Sequence, residues 1–249
     1  MVAATAKART EIDEASAPAL SVYQATLAEP NQRTGEVSTE EVRRILVDGS
    51  AIVLDTRKRA QYAAGHLPGA RNVAPAADAP PAEYIAAVER LVGGDKAKPL
   101  VLYCNGPFCR ATRQLSEQLV DAGFRNVRRY QVGIPIWRAL GGPTQVELEG
   151  IVRIFGVDRT AVYFDARSPA EYAQGSLPGA HNVPADRAAA EGFDFAPLPR
   201  DDFITRIVVF GRDGAQARAL ADALAKSPFH NVTFFAGTYA ELAAAIQAK

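Results

Sequence analysis

Asp55-Thr-Arg57-Lys58-Arg-Ala-Gln61-Tyr62-Ala-Ala-Gly65-His66-Leu-Pro68-Gly69-Ala-Arg-Asn72-Val73 returns 110 residues later as Asp165-Ala-Arg167-Ser168-Pro-Ala-Glu171-Tyr172-Ala-Gln-Gly175-Ser176-Leu-Pro178-Gly179-Ala-His-Asn182-Val183. Twelve of these nineteen positions are identical. The unit is too long for a solenoid repeat, so the chain is a duplication of a domain. Downstream the copies diverge. The first continues through Val101-Leu-Tyr103-Cys104-Asn105-Gly106-Pro107-Phe108-Cys109-Arg110, the second through Val208-Val-Phe210-Gly211-Arg212-Asp213-Gly214. A thiol in one copy therefore faces a glycine in the other, and the expectation is one armed half and one disarmed half.

The rest of the chain bounds this reading. A length of 249 residues accommodates two ordinary domains, expected over 37–142 and 143–249, after an extended arm over 1–36. Lys plus Arg and Asp plus Glu each total 28, so no global charge favours nucleic acid or a membrane surface as partner. No stretch reaches the ~18–20 apolar residues of a membrane span, and the first residues lack an apolar signal-peptide core. A soluble protein is expected, cytoplasmic by default and periplasmic if a leader has been removed. Two cysteines, five positions apart, exclude a disulfide scaffold and favour reactivity.

Local patterns predict alternating strands and helices. Ser38-Thr-Glu-Glu41 is a capping-box sequence opening a helix over Glu40 to Val47. The apolar runs Ala51 to Leu54 and Pro99 to Tyr103 read as buried strands. Leu115, Leu119 and Ala122 form a helical stripe capped by Gly123, and a strand follows over Asn126 to Val132. Arg125, Arg128 and Arg129 read as the solvated edge of that strand. After a Gly141-Gly-Pro143 linker the order repeats, with a helix near 145–155, strands at Ala161 to Phe164 and Ile207 to Phe210, an Ala-rich helix, and a last strand at Val232 to Phe235. The expected fold class is α/β, two domains each with a mainly parallel sheet and helices on both faces.

Cys104 stands where a buried strand ends, just before a helix starting near Arg110. Ligands of open α/β sheets bind outside the carboxyl ends of the strands. A loop curling into a helix N-terminus turns N–H groups inward, and with the helix dipole these favour thiolate. The leverage is large: a cysteine at pKa ~8.5 is about 3% ionised at pH 7, whereas at ~6.5 it is mostly thiolate. Gly106 and Pro107 suit a tight cradle, and Arg110 adds a positive charge for an oxyanion.

Asp55-x-Arg57, Tyr62, Gly65-His66-Leu67-Pro68-Gly69-Ala70-x-Asn72, the strand ending in Tyr103-Cys104, and Gly133 with Trp137 resemble rhodanese-like domains. The resemblance covers both halves from about residue 38 to 245. It implies a tandem sulfurtransferase without cofactor, in which Cys104 takes the outer sulfur of a donor such as thiosulfate as a persulfide. The sulfur then passes to cyanide or a thiol, a protein thiol among them. The site implied is Cys104 as the catalytic residue, with Asn105, Gly106, Pro107, Phe108, Cys109 and Arg110 binding the substrate.

Three features depart from the family pattern. Arg110 lies one position beyond the usual loop arginine, a Cys-x5-Arg spacing similar to that of Cdc25-type phosphatases and arsenate reductases of this fold. The cysteine sits in the first half, where many tandem members carry it in the second. Cys109 is an additional loop thiol, read as a packing residue, a resolving or sulfur-accepting thiol, or a metal ligand. Without a nearby histidine the two cysteines make a poor metal site, and none is expected. An oxyanion hydrolase or reductase, and a non-catalytic sulfur or redox sensor using Cys104 and Cys109, stay open beside the sulfurtransferase. His66 reads as a structural hydrogen-bonder, Asp55 with Arg57 as a structural ion pair, Trp137 as core. The second half reads as a scaffold covering the active loop.

Overall fold

A computed structural model describes residues 32–74, 79–226 and 228–248. The first half runs β1 (Gly35–Glu36), α1 (Thr39–Asp48), β2 (Ile52–Asp55), α2 (Arg59–Ala63), β3 (Arg71–Asn72), α3 (Pro81–Val92), β4 (Leu100–Tyr103), α4 (Arg110–Asp121), β5 (Val127–Tyr130) and α5 (Gly133–Ala139). The second repeats that order as β6 (Thr144–Val146), α6 (Leu148–Val157), β7 (Val162–Asp165), α7 (Pro169–Ala173), β8 (His181–Asn182), α8 (Ala185–Glu191), β9 (Ile207–Phe210), α9 (Gly214–Ala225), β10 (Val232–Phe235) and α10 (Tyr239–Gln247). The strand orders β1-β5-β4-β2-β3 and β6-β10-β9-β7-β8 are the same topology twice, and the paired strands are parallel. We propose the division between the halves at Gly142 and Pro143, between α5 and β6.

Alternation along the strands distributes side chains to two layers. Leu54, Leu100, Leu102 and Val127 pack with Tyr84, Val88 and Leu119 on one face; Val53, Val101, Tyr103 and Tyr130 pack with Val42, Ile45 and Trp137 on the other. The second sheet is covered in the same way, with Phe164, Val209 and Phe234 facing Leu220 and Leu224, and Val208 and Phe210 facing Ile151 and Leu242. Burial on both faces explains why the strands read as continuous apolar runs.

Three expectations change. The arm assigned to 1–36 ends in the sheet, because Gly35 and Glu36 pair with Arg128 and Arg129 as β1; residues 1–31 lie outside the described residues. That pairing makes β5 an interior strand, so its arginines are not a solvated edge. Arg129 is 1% exposed, Arg128 is half-buried and ion-paired with Glu41, and Arg125 is exposed. Ser38 caps α1 by accepting from Glu41 N–H (3.2 Å), while the Glu41 carboxylate goes to Arg128. Finally, α6 is preceded by a strand, β6, which pairs with β10.

The halves meet through the turn after α2. His66 forms an antiparallel bridge with Gln145, Glu147 N–H donates to Ala63 O (3.0 Å), and Arg59 reaches Glu149 (2.8 Å). Gly150 is seated against Ala63, where any Cβ would lie 1.9 Å from the carbonyl oxygen. Among the described residues no helix is long and apolar enough to cross a membrane.

Candidate active site

The carboxyl end of β4 places Cys104 in the middle of the first sheet, between β2 and β5. Its backbone is held from the β5–α5 side, where Ile134 N–H donates to Cys104 O (3.1 Å). The approach is possible because residue 133 is glycine. With φ +64, a Cβ there would sit 2.3 Å from Cys104 O and 2.7 Å from Gly106 N. Gly106 also takes a positive φ, +124, which lets the loop turn so that Cys109 N–H returns to Gly106 O (3.0 Å). Gln131 Nε2 donates to Pro107 O (2.9 Å) and fixes the loop from β5.

A cavity of about 480 Å³ opens at Cys104. Cys104 and Asn105 line it, together with Thr56, Lys58, Gln61, Tyr84, Gln114 and Gln118 among others. Cys104 is 5% exposed, the floor of an otherwise open site. The Tyr84 hydroxyl and Gln118 Oε1 are buried without a hydrogen-bond partner among the described residues, and burial raises the Tyr84 pKa, so it stays a neutral donor. The described residues of this lining all belong to the first half. The second half therefore does not cover the active loop; it docks on the turn after α2.

Gly106, Pro107, Phe108, Cys109 and Arg110 do not line the cavity. Phe108 is 84% exposed at the loop tip, Cys109 is half-buried, and Arg110 is exposed in the first turn of α4. Cys104 and Cys109 are joined by a disulfide across a Cα–Cα distance of 6.3 Å, which ties the floor of the cavity to the start of α4. Lys58, Gln61, Tyr84, Gln114 and Gln118 were not singled out in the sequence. For two of them a signal existed, since the second copy of the motif has Ser168 for Lys58 and Glu171 for Gln61.

The residues shared by both halves make matching contacts in each, and Arg57 also lines the cavity. Arg57 donates to Asp55 (2.6 Å) and to Gly65 O (2.7 Å); Arg167 does the same with Asp165 (2.6 Å) and Gly175 O (2.7 Å). Burial alone would lower the Arg57 pKa, but the hydrogen bonds to and charge of Asp55 outweigh it and raise the pKa. His66 is fully buried, stacked on Tyr62, with Nδ1 3.0 Å from Tyr62 O. Burial lowers its pKa to about 4, leaving a neutral ring that does not line the cavity. Trp137 is buried core, donating to Pro143 O (2.9 Å).

In the second half the corresponding loop is closed by its own side chains. Gln216 Oε1 accepts from Arg212 N–H (2.9 Å), and Asp213 caps α9 by accepting from Gln216 N–H (2.9 Å). A Cβ on Gly211 would meet Gln216 Oε1 at 3.0 Å and Ala217 N at 3.1 Å. The helix N-terminus that α4 leaves without a side-chain cap is thus occupied by the protein itself in α9.

The sequence matches the family model of the rhodanese-like domain over residues 38–140 and 156–245. Among curated proteins it is similar to the HTH-type transcriptional regulator Rv0324 of Mycobacterium tuberculosis (strain ATCC 25618 / H37Rv), 32% identical over 107 residues, 43% of each protein. The chain therefore spans less than half the length of that relative. Similar solved structures include a thiosulfate sulfurtransferase from Pseudomonas aeruginosa (23% identity, TM-score 0.35, covering 88% of this chain and 46% of that one). Another is the 3-mercaptopyruvate sulfotransferase SseA from Escherichia coli (21% identity, TM-score 0.36, covering 83% and 99%).

Proposed function

Because the chain belongs to the rhodanese-like domain family, we propose that it is a sulfurtransferase whose first half carries sulfane sulfur on Cys104. The observation that carries this reading is the position of Cys104, at the carboxyl end of the central strand and at the floor of a cavity that Lys58, Gln61 and Gln114 also line. The Cys104 thiolate attacks the outer sulfur of thiosulfate. A new S–S bond forms, the bond to the sulfonate sulfur breaks, and sulfite leaves with the electron pair. Cyanide or a thiol then removes the outer sulfur and regenerates the thiolate. Asn105 holds the donor, with Lys58 supplying positive charge at the rim. The active enzyme is the dithiol form, since a disulfide-bonded Cys104 is no nucleophile.

A phosphatase using the same loop needs a general acid for its leaving group, and the described lining contains no Asp or Glu. The Cys104–Cys109 disulfide and the similarity to a transcriptional regulator favour a different second reading, a sulfur- or redox-sensing module. Turnover separates the two. With a dithiol present to keep the cysteine pair reduced, the protein should release sulfite from thiosulfate over many cycles, with thiocyanate formed when cyanide is added; Cys104→Ser should not, and Cys109→Ser should retain a substantial part of the rate. A single stoichiometric event with no turnover would support the sensor.

A further inference from the structure

We infer that Cys109 resolves the Cys104 persulfide and releases its outer sulfur as sulfide, making the chain a dithiol-dependent thiosulfate reductase; this rests on the Cys104 persulfide reading above. The chain has two cysteines, so Cys109 is the sole thiol within it that can reach a persulfide on Cys104. The bond that resolution would create is the one the structure holds, Cys104 to Cys109. The loop is also built to keep Cys109 there, through Cys109 N–H to Gly106 O (3.0 Å) and Gln131 to Pro107 O (2.9 Å). A thiol fixed within bonding reach has a large advantage over one arriving from solution.

The chemistry balances. Cys104 thiolate and thiosulfate give the persulfide and sulfite. The Cys109 thiol then attacks Cys104 Sγ; the bond to the outer sulfur breaks, and that sulfur leaves with the electron pair and the Cys109 proton as hydrosulfide. The cysteine pair has been oxidised to the disulfide and the sulfane sulfur reduced. A dithiol reductant closes the cycle, so that thiosulfate and the dithiol become sulfite, hydrogen sulfide and the oxidised dithiol. The reductant should attack Cys109 rather than Cys104, because Cys109 is half-buried whereas Cys104 is 5% exposed. Attack at Cys109 expels the Cys104 thiolate, the form that starts the next cycle.

The test is a single turnover without added thiol. The whole chain is reduced, freed of reductant under anaerobic conditions, and mixed with one equivalent of thiosulfate; sulfite, sulfide and intact mass are then measured. Wild type should release both sulfite and sulfide stoichiometrically and end two hydrogens lighter, while a sample without thiosulfate keeps its mass. Cys109→Ser, with Cys109→Ala as a second variant and circular dichroism to check folding, should release sulfite alone and end one sulfur heavier. Wild type ending one sulfur heavier without sulfide overturns the inference, as does stoichiometric sulfide from both Cys109 variants. Folded Cys109 variants that release no sulfite and gain no sulfur overturn the persulfide reading itself.

Discussion

Lys58 on the cavity rim corresponds to Ser168 in the second half, and Gln61 to Glu171. The armed copy thus carries a cation where the other carries a neutral hydroxyl, and an amide where the other carries a carboxylate tied into a capping box. That difference suits an anionic donor. An exposed charge pair at ~4 Å in water is worth about 1 kcal/mol, so Lys58→Ala should lower kcat/KM for thiosulfate about fivefold, less at high salt. Arg110→Ala, away from the cavity wall, should lower it by less than about twofold. Steady-state kinetics on both variants check this, and the reverse order would place the donor on the Arg110 side of the loop. A second exchange between the copies is compensatory. Tyr103 OH donates to Asp55 Oδ2 (2.6 Å), and its counterpart Phe210 has no hydroxyl; Ser176, the counterpart of His66, donates to Asp165 Oδ2 instead (2.7 Å). Cys104 and the ion pairs were legible from the sequence because each sits inside a local motif. Tyr84, Gln114 and Gln118 were not, because α3 and α4 reach the cavity only through tertiary packing.

At the scale of elements, the loop after β4 is shaped by the segment after β5. Gly133→Ala would need both a positive φ and a Cβ inside contact distance of Cys104 O and Gly106 N. It should destabilise the protein by about 2 kcal/mol or more and remove most sulfur transfer, measured by urea unfolding and by sulfite release; unchanged values in both would show that the loop is held some other way. The long strands were readable because β2, β4, β7, β9 and β10 are short apolar runs. The two-residue strands β1, β3 and β8 were not, since two residues carry no periodicity. Arg129 misled for a related reason. A charged residue in an alternating segment reads as solvent-facing, whereas here β1 pairs with β5 and Arg129 is buried.

The whole molecule is one fold used twice, with chemistry expected in one copy. The second half shares the topology and the buried Asp165–Arg167 pair, but Gln216 and Asp213 close its loop and cap its helix with the protein's own side chains. Supplying a thiol should not be enough. In a Cys104→Ser background, Gly211→Cys should show no thiosulfate turnover, because the new side chain meets Gln216 and Asp213 opposes both thiolate and anionic donor; a rate near the native one would mean that the second site is intact apart from its nucleophile. The most direct measurement follows the sulfur itself. Reduced Cys109→Ser protein is exposed to thiosulfate labelled in its outer sulfur, and the label is located by peptide mapping. We expect it on the peptide bearing Cys104, matched by an equal release of sulfite. Sulfite released with no label on that peptide, or released undiminished by a Cys104→Ser protein, would contradict a persulfide on Cys104.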